Sequence, residues 1–149
     1  MIVTFCGHRN FIETAETEER LAMMLGKYAR ANGSLVCYNG GYGNFDCFAA
    51  KCVQRLQEHH SNIRNCLILP YIDQTFLDRI AAFKNHFDET IYPPLENVPK
   101  KYAIIRRNEW MIDAADLVIA YVKYSWGGAA RSLESVSYTH LTLPTNSRV

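Results

Sequence analysis

Apolar residues along this chain gather into short runs that alternate with longer stretches of helical spacing. Ile2 to Cys6 is an apolar run broken by Gly7, and Ser34 to Tyr38, Asn65 to Pro70, Glu89 to Tyr92 and Leu117 to Val122 repeat the pattern of a short buried strand. Between them, Leu21, Met24, Leu25 and Tyr28 recur at i, i+3, i+4 and i+7 behind a cluster of glutamates at 13, 16, 18 and 19, which predicts an amphipathic helix closing near Asn32-Gly33. Phe45, Phe48, Ala49, Cys52, Val53 and Leu56 mark a second helix. Phe76, Ile80 and Phe83 mark a third behind a capping-box-like Thr75 and Asp78. Residues 101 to 115 mark a fourth, with Ile104, Ile105, Met111 and Ile112 apolar. Repeated strand–helix–strand units predict an α/β domain whose sheet is mostly parallel, with helices on both faces.

Three of the apolar runs end in glycine. Gly7-His8-Arg9, Asn39-Gly40-Gly41-Tyr42-Gly43-Asn44 and Ser125-Trp126-Gly127-Gly128 fall where an open α/β sheet presents its ligand crevice, beyond the strand C-termini. Glycine lets backbone approach an anion, and a helix N-terminus offers free N–H groups, so the two glycine pairs are candidate phosphate loops. A tight turn without a ligand is the plain alternative, because the spacing matches neither G-x-G-x-x-G nor the Walker lysine motif. Asp46 is placed to cap the second helix or to meet a ribose hydroxyl, and Trp126 to stack on a base or cover a core edge. His8 has no cysteine or histidine at ligand spacing and His59-His60 stand together at a helix end, so no metal site and no cofactor are expected.

Charge and cysteine content narrow the setting. The 149 residues hold 16 basic and 15 acidic side chains, and Arg148 is the one charged residue beyond Glu134, so residues 1–134 are balanced. That balance, without a basic stripe, argues against nucleic acid as a partner. Five cysteines without a C-x-x-C pair read as buried thiols of a reducing cytoplasm. No apolar run approaches the ~20 residues of a membrane span, and a homo-oligomer is compatible with all of this.

Val136 to Thr145 back-translates without a gap into a sequence that resembles the transposon-end adapter of sequencing libraries. Residues 135–149 are therefore expected to be a non-native tail without structure or function, with residues 1–134 as one domain whose natural sequence continues past Glu134.

Cys6-Gly-His-Arg9, Asn39-Gly-Gly-Tyr-Gly-Asn-Phe-Asp46, Arg107-Asn-Glu-Trp-Met111 and Ser125-Trp-Gly-Gly-Ala-Ala130 together resemble the SLOG superfamily, most closely its YpsA-like branch of uncharacterised bacterial proteins. The resemblance spans nearly all of residues 1–134 and implies a three-layer Rossmann-like fold that binds nucleotides or nucleotide-derived ligands. The related LOG phosphoribohydrolases carry R-K-x-x-M and P-G-G-x-G-T-x-x-E. Here Arg107 to Met111 matches the first except for Asn108, while Gly127 to Glu134 matches the second at both leading glycines and the glutamate but lacks the proline, the third glycine and the threonine. The expected function is thus binding of a nucleoside monophosphate or ADP-ribose-like ligand, sensory or regulatory, by Gly7, His8, Arg9, Gly40, Gly41, Gly43, Asn44, Asp46, Asn108, Ser125, Trp126, Gly127 and Gly128. The alternative is an N-glycosidase cleaving base from a nucleoside 5'-monophosphate, in which Glu134 stabilises the cationic sugar or positions water and Arg107 holds a phosphate or orients that carboxylate. The single-stranded-DNA binding of the DprA branch is disfavoured by the charge balance.

Overall fold

In a computed structural model of the chain, residues 1–81 and 84–121 are described, together with the backbone of the strand at 140–142. The elements run β1 (Ile2–Gly7), α1 (Ala15–Ala31), β2 (Leu35–Asn39), α2 (Asn44–Gln57), β3 (Ile63–Ile68), α3 (Gln74–Ile80), a 3-10 turn (Lys84–His86), β4 (Glu89–Ile91), α4 (Lys100–Ala114), β5 (Leu117–Tyr121) and β6 (His140–Thr142). The strands form one parallel sheet in the order β4-β3-β2-β1-β5-β6. The chain therefore winds outward from β1 to β4 and then crosses back to β5 on the other side of β1. That reversal puts the topological switch point, where such sheets open a crevice, between β1 and β5.

Side-chain parity along the strands builds three layers. Val3, Phe5, Leu35, Cys37, Ile63 and Ile119 turn to one face and pack against Leu21 and Leu25 of α1 and Phe45, Phe48 and Val53 of α2. Leu67 and Leu69 continue that face under Phe76 and Ile80 of α3. The alternate residues Cys6, Val118 and Ala120 meet Ile112, and Cys66 and Ile68 meet Met111, both from α4 on the opposite face. Each fully buried Leu, Ile or Phe contributes about 1.5–3 kcal/mol. This core, rather than helix propensity, fixes the layers.

Local signals set the helix ends. Thr14 and Thr17 cap α1 reciprocally, the Thr14 hydroxyl accepting from the Thr17 N–H at 3.1 Å and the Thr17 hydroxyl from the Thr14 N–H at 3.0 Å. The start of α3 departs from expectation. Its cap is Asp73, which accepts from the Phe76 N–H at 2.7 Å, because an aspartate in extended conformation outcompetes the Thr75 box.

The tail is a second departure. β6 falls inside the stretch expected to be unstructured and pairs in parallel with β5, His140 opposite Val118 and Thr142 opposite Ala120. β5 would otherwise present a row of unpaired N–H and C=O groups, and even a three-residue strand can satisfy part of such an edge. The remaining residues of the tail lie outside the described ones, as do Ser125, Trp126, Gly127, Gly128 and Glu134.

Among the described residues no helix is long and apolar enough to cross a membrane, and no group of three His, Cys, Asp or Glu side chains could hold a metal. All five cysteines are free thiols; Cys6, Cys37, Cys52 and Cys66 are buried, while Cys47 is half-buried. Burial pushes the thiols of Cys6, Cys52 and Cys66 up to about 12, so they are unreactive at neutral pH.

Candidate functional site

The strand C-termini of β1, β2 and β3 share one edge, as the glycine pattern predicts, and this edge carries Gly7-His8-Arg9, the 39–44 loop and Tyr71. Beneath it lies an aromatic floor: Phe11 sits edge-on to Phe45 and Tyr121, with ring centroids 5.1 and 4.8 Å away. Gly7 is a packing requirement. A Cβ there would lie 2.3 Å from the Phe45 ring, so only glycine lets α2 enter so close to β1. His8 sits at the switch point, its N–H donating to the Tyr121 carbonyl at 3.4 Å and its ring 6.5 Å from that of Tyr121. Desolvation holds the His8 imidazole below its ordinary range.

The 39–44 loop is stapled from within. Buried Asn39 accepts from the Gly41 N–H at 2.7 Å and donates to the Asp46 carbonyl at 2.8 Å. The Asp46 carboxylate, tucked under the loop, accepts from the Tyr42 N–H at 2.9 Å, and the Asn44 N–H donates to the Arg9 carbonyl at 3.2 Å. Gly41 and Gly43 adopt φ values of 65° and 98°, which glycine tolerates without strain. The N–H groups of residues 41, 42 and 44 are thus already spent on protein acceptors. An open cradle for a phosphate at Gly40-Gly41 would need the same donors.

Arg107 is the second staple. It is 1% exposed, and its Nη1 donates to the carbonyls of Gly40 and Ile68 at 2.9 and 2.8 Å, while Nε donates to Asn108 Oδ1 at 2.9 Å. One guanidinium from α4 therefore ties the ends of β2 and β3 together. Gly40 must be glycine for this, since a Cβ would come within 3.0 Å of the guanidinium. Burial pulls Arg107 down to about 10, against the attraction of Asp46, and it stays cationic at neutral pH. Burial raises Asp46 to about 6, opposed by the Tyr42 N–H and by Arg107.

What the stapled loop presents outward is a side-chain platform. The Arg9 guanidinium lies 4.8 Å from the centroid of the half-buried Tyr42 ring, and Arg9 itself is exposed. Further along the edge, Lys100 at the start of α4 stands 4.8 Å over the Tyr71 ring and pairs with Asp73. Asn44 is exposed beside this platform, and Asn108 is half-buried as the partner of Arg107. Sequence reasoning singled out Arg9 but missed Asn39, Tyr42, Tyr71 and Lys100. A buried-position asparagine closing an apolar strand before two glycines was the available signal for the staple; the aromatic–cation pairs join distant segments and left none.

No family model and no curated protein matches the chain. Among solved structures it is similar to DNA processing protein A from Helicobacter pylori, with a TM-score of 0.58 at 17% identity, over 98% of this chain and 66% of that one. That protein is described for a unique single-stranded DNA binding mode. The neighbour overturns two expectations from the sequence: that a small nucleotide-derived ligand is the main reading, and that nucleic acid is an unlikely partner. On this edge the N–H groups of residues 41, 42 and 44 are taken by protein acceptors, and Arg9 stands as a local cation beside the Tyr42 ring despite the balanced total charge. The likeness establishes a shared Rossmann-like α/β fold.

Proposed function

We propose that this chain binds single-stranded nucleic acid, with DNA as the first substrate to test, across the C-terminal edge of its sheet. The observation that carries the reading is the Arg9–Tyr42 platform, carried by a loop whose Gly41 and Tyr42 N–H groups are satisfied from within. Single strands are bound by aromatic faces on which bases stack and by cations that follow the backbone, and each stacked base is worth about 1–3 kcal/mol. Arg9 has the Tyr42 ring as its side-chain partner and no ion pair among the described residues, so its charge is available to a phosphate. Tyr71 supplies a second aromatic face on the same edge, beside a Lys100 whose charge Asp73 already meets. The shared fold with a single-stranded-DNA-binding protein supports the assignment; on the resemblance of the glycine motifs to the SLOG superfamily we also favour its YpsA-like branch and a bacterial cytoplasmic setting.

With two or three cations engaged, the dependence of log K on log salt has a slope of about −1.4 to −2 for a single strand. The test is fluorescence anisotropy with labelled oligo(dT) of about 20 nucleotides, longer than typical single-strand sites, beside a duplex of equal length. The expected result is preferential binding of the single strand, weakened about 5- to 150-fold by Tyr42→Ala. Absence of binding at low salt, or equal affinity for the duplex, overturns the proposal.

A further inference from the structure

On the outer side of α4, away from the sheet, a groove of about 420 Å³ runs between residues 97–99 and the exposed face of the helix. Tyr102, Ile105, Arg106 and Glu109 line it at helical spacing. The volume lies within the range of small-ligand sites. Two of its walls are unusual for a solvated helix face: Tyr102 is 49% exposed and Ile105 38% exposed. Lys101 stands 5.0 Å from the Tyr102 ring, and neither Lys101 nor Arg106 makes an ion pair or hydrogen bond among the described residues. An exposed aromatic in an apolar groove, flanked by two unneutralised cations, offers a base its π-face and the adjoining phosphates their counter-charge.

The helix that carries the groove is tied to the sheet edge of the Arg9–Tyr42 platform through Arg107. α4 starts at that edge, with Lys100 over Tyr71, and Arg106 and Arg107 are consecutive: Arg107 turns inward to the Gly40 carbonyl while Arg106 turns outward to the groove. One helix diameter, about 10–12 Å with side chains, therefore separates the stapled loop from the groove. Glu109, at the third turn, repels phosphate from the groove's far end and leaves the apolar wall to a base.

We infer that this groove is a second base-binding subsite for the same single strand, taking one unstacked nucleobase against Tyr102 and Ile105 with its phosphate at Arg106. The inference rests on the reading of the sheet edge as a single-strand site, and the experiment separates the two. Anisotropy is measured with oligo(dT) of graded length on the wild-type chain, on Tyr102→Ala, on Ile105→Ala with Arg106→Gln, and on Tyr42→Ala. These groove residues are exposed or make no hydrogen bonds among the described residues, so the variants are expected to fold, and circular dichroism checks this. Wild-type affinity should rise with length until both subsites are filled. Tyr102→Ala and the Ile105/Arg106 variant should lose about 5- to 100-fold with long oligonucleotides and little with the shortest that bind, whereas Tyr42→Ala weakens every length. If wild-type protein binds and the groove variants keep full affinity at every length, the subsite is refuted while the edge site stands. If light scattering instead finds self-association that Tyr102→Ala abolishes, the groove is an interface between copies and the inference is again refuted. If wild-type protein binds no single strand, both readings fall.

Discussion

Replacing Arg107 by methionine separates a structural staple from a group held ready for ligand. The substitution keeps the long unbranched stem and removes the donors to Gly40, Ile68 and Asn108, two of which end on carbonyls deep under the edge. Hydrogen bonds from a charged donor contribute about 1.5–3 kcal/mol each, and removing one member of a buried charge pair costs about 3–5 kcal/mol because the other is left uncompensated. Asp46, half-buried, stands in that position: it faces Arg107 across Gly40 and feels its charge without an ion pair between them. The expected loss is therefore about 3–5 kcal/mol at pH 8, a large fraction of the 5–15 kcal/mol that holds an ordinary domain. Urea unfolding followed by the fluorescence of Trp110, whose ring stacks on Tyr38 with centroids 5.6 Å apart, reports it. The deficit should shrink near pH 5, where Asp46 protonates and no longer needs a cation. It should shrink likewise in the double variant with Asp46→Asn. A loss below 1 kcal/mol at pH 8, or a double variant no better than Arg107→Met, refutes the staple.

Three further outcomes follow from the same geometry. Gly7→Ala drives a Cβ into the Phe45 ring and should cost about 1–3 kcal/mol by overpacking, a cost that Phe45→Leu partly relieves; additive effects in a double-mutant cycle would contradict the contact. Asp46 is raised in the fold from 3.8 to about 6, so its contribution is fully present below pH 4 and is lost as pH rises to 6, a decline of about 3 kcal/mol that should vanish in Asp46→Asn; an unchanged pH profile of chemical denaturation in that variant would remove Asp46 as the cause. Deleting residues 135–149 should cost no more than about 1 kcal/mol, because β6 adds a single three-residue ladder at the sheet edge; a collapse of the thermal transition on truncation would show the tail to be integral.

The layers were legible because they follow from apolar period. β1, β2, β5 and all four helices appear within a few residues of where periodicity puts them, and Gly7 and Gly41 meet at one edge because parallel strands leave their loops together. The site was legible only in part. Glycine in Asn39-Gly-Gly-Tyr-Gly-Asn44 announces a backbone demand, but the demand here is internal: φ of 65° and 98°, and room for Arg107. A string of letters does not distinguish amides free for a phosphate from amides held by Asn39 and Asp46. Net charge misled for a related reason. It sums over the surface, whereas Arg9 keeps its charge beside Tyr42 on one edge through a contact between segments 33 residues apart.

Whether a single strand lies across the C-terminal edge of the sheet is decided by amide chemical-shift mapping during titration with oligo(dT). Shifts are expected to concentrate at residues 7–10, 39–44, 71–73 and 100–106. Shifts confined to the opposite edge, where Leu35 meets Asn62 and Asp116 meets Ile2, or no shifts at saturating oligonucleotide, would contradict that placement.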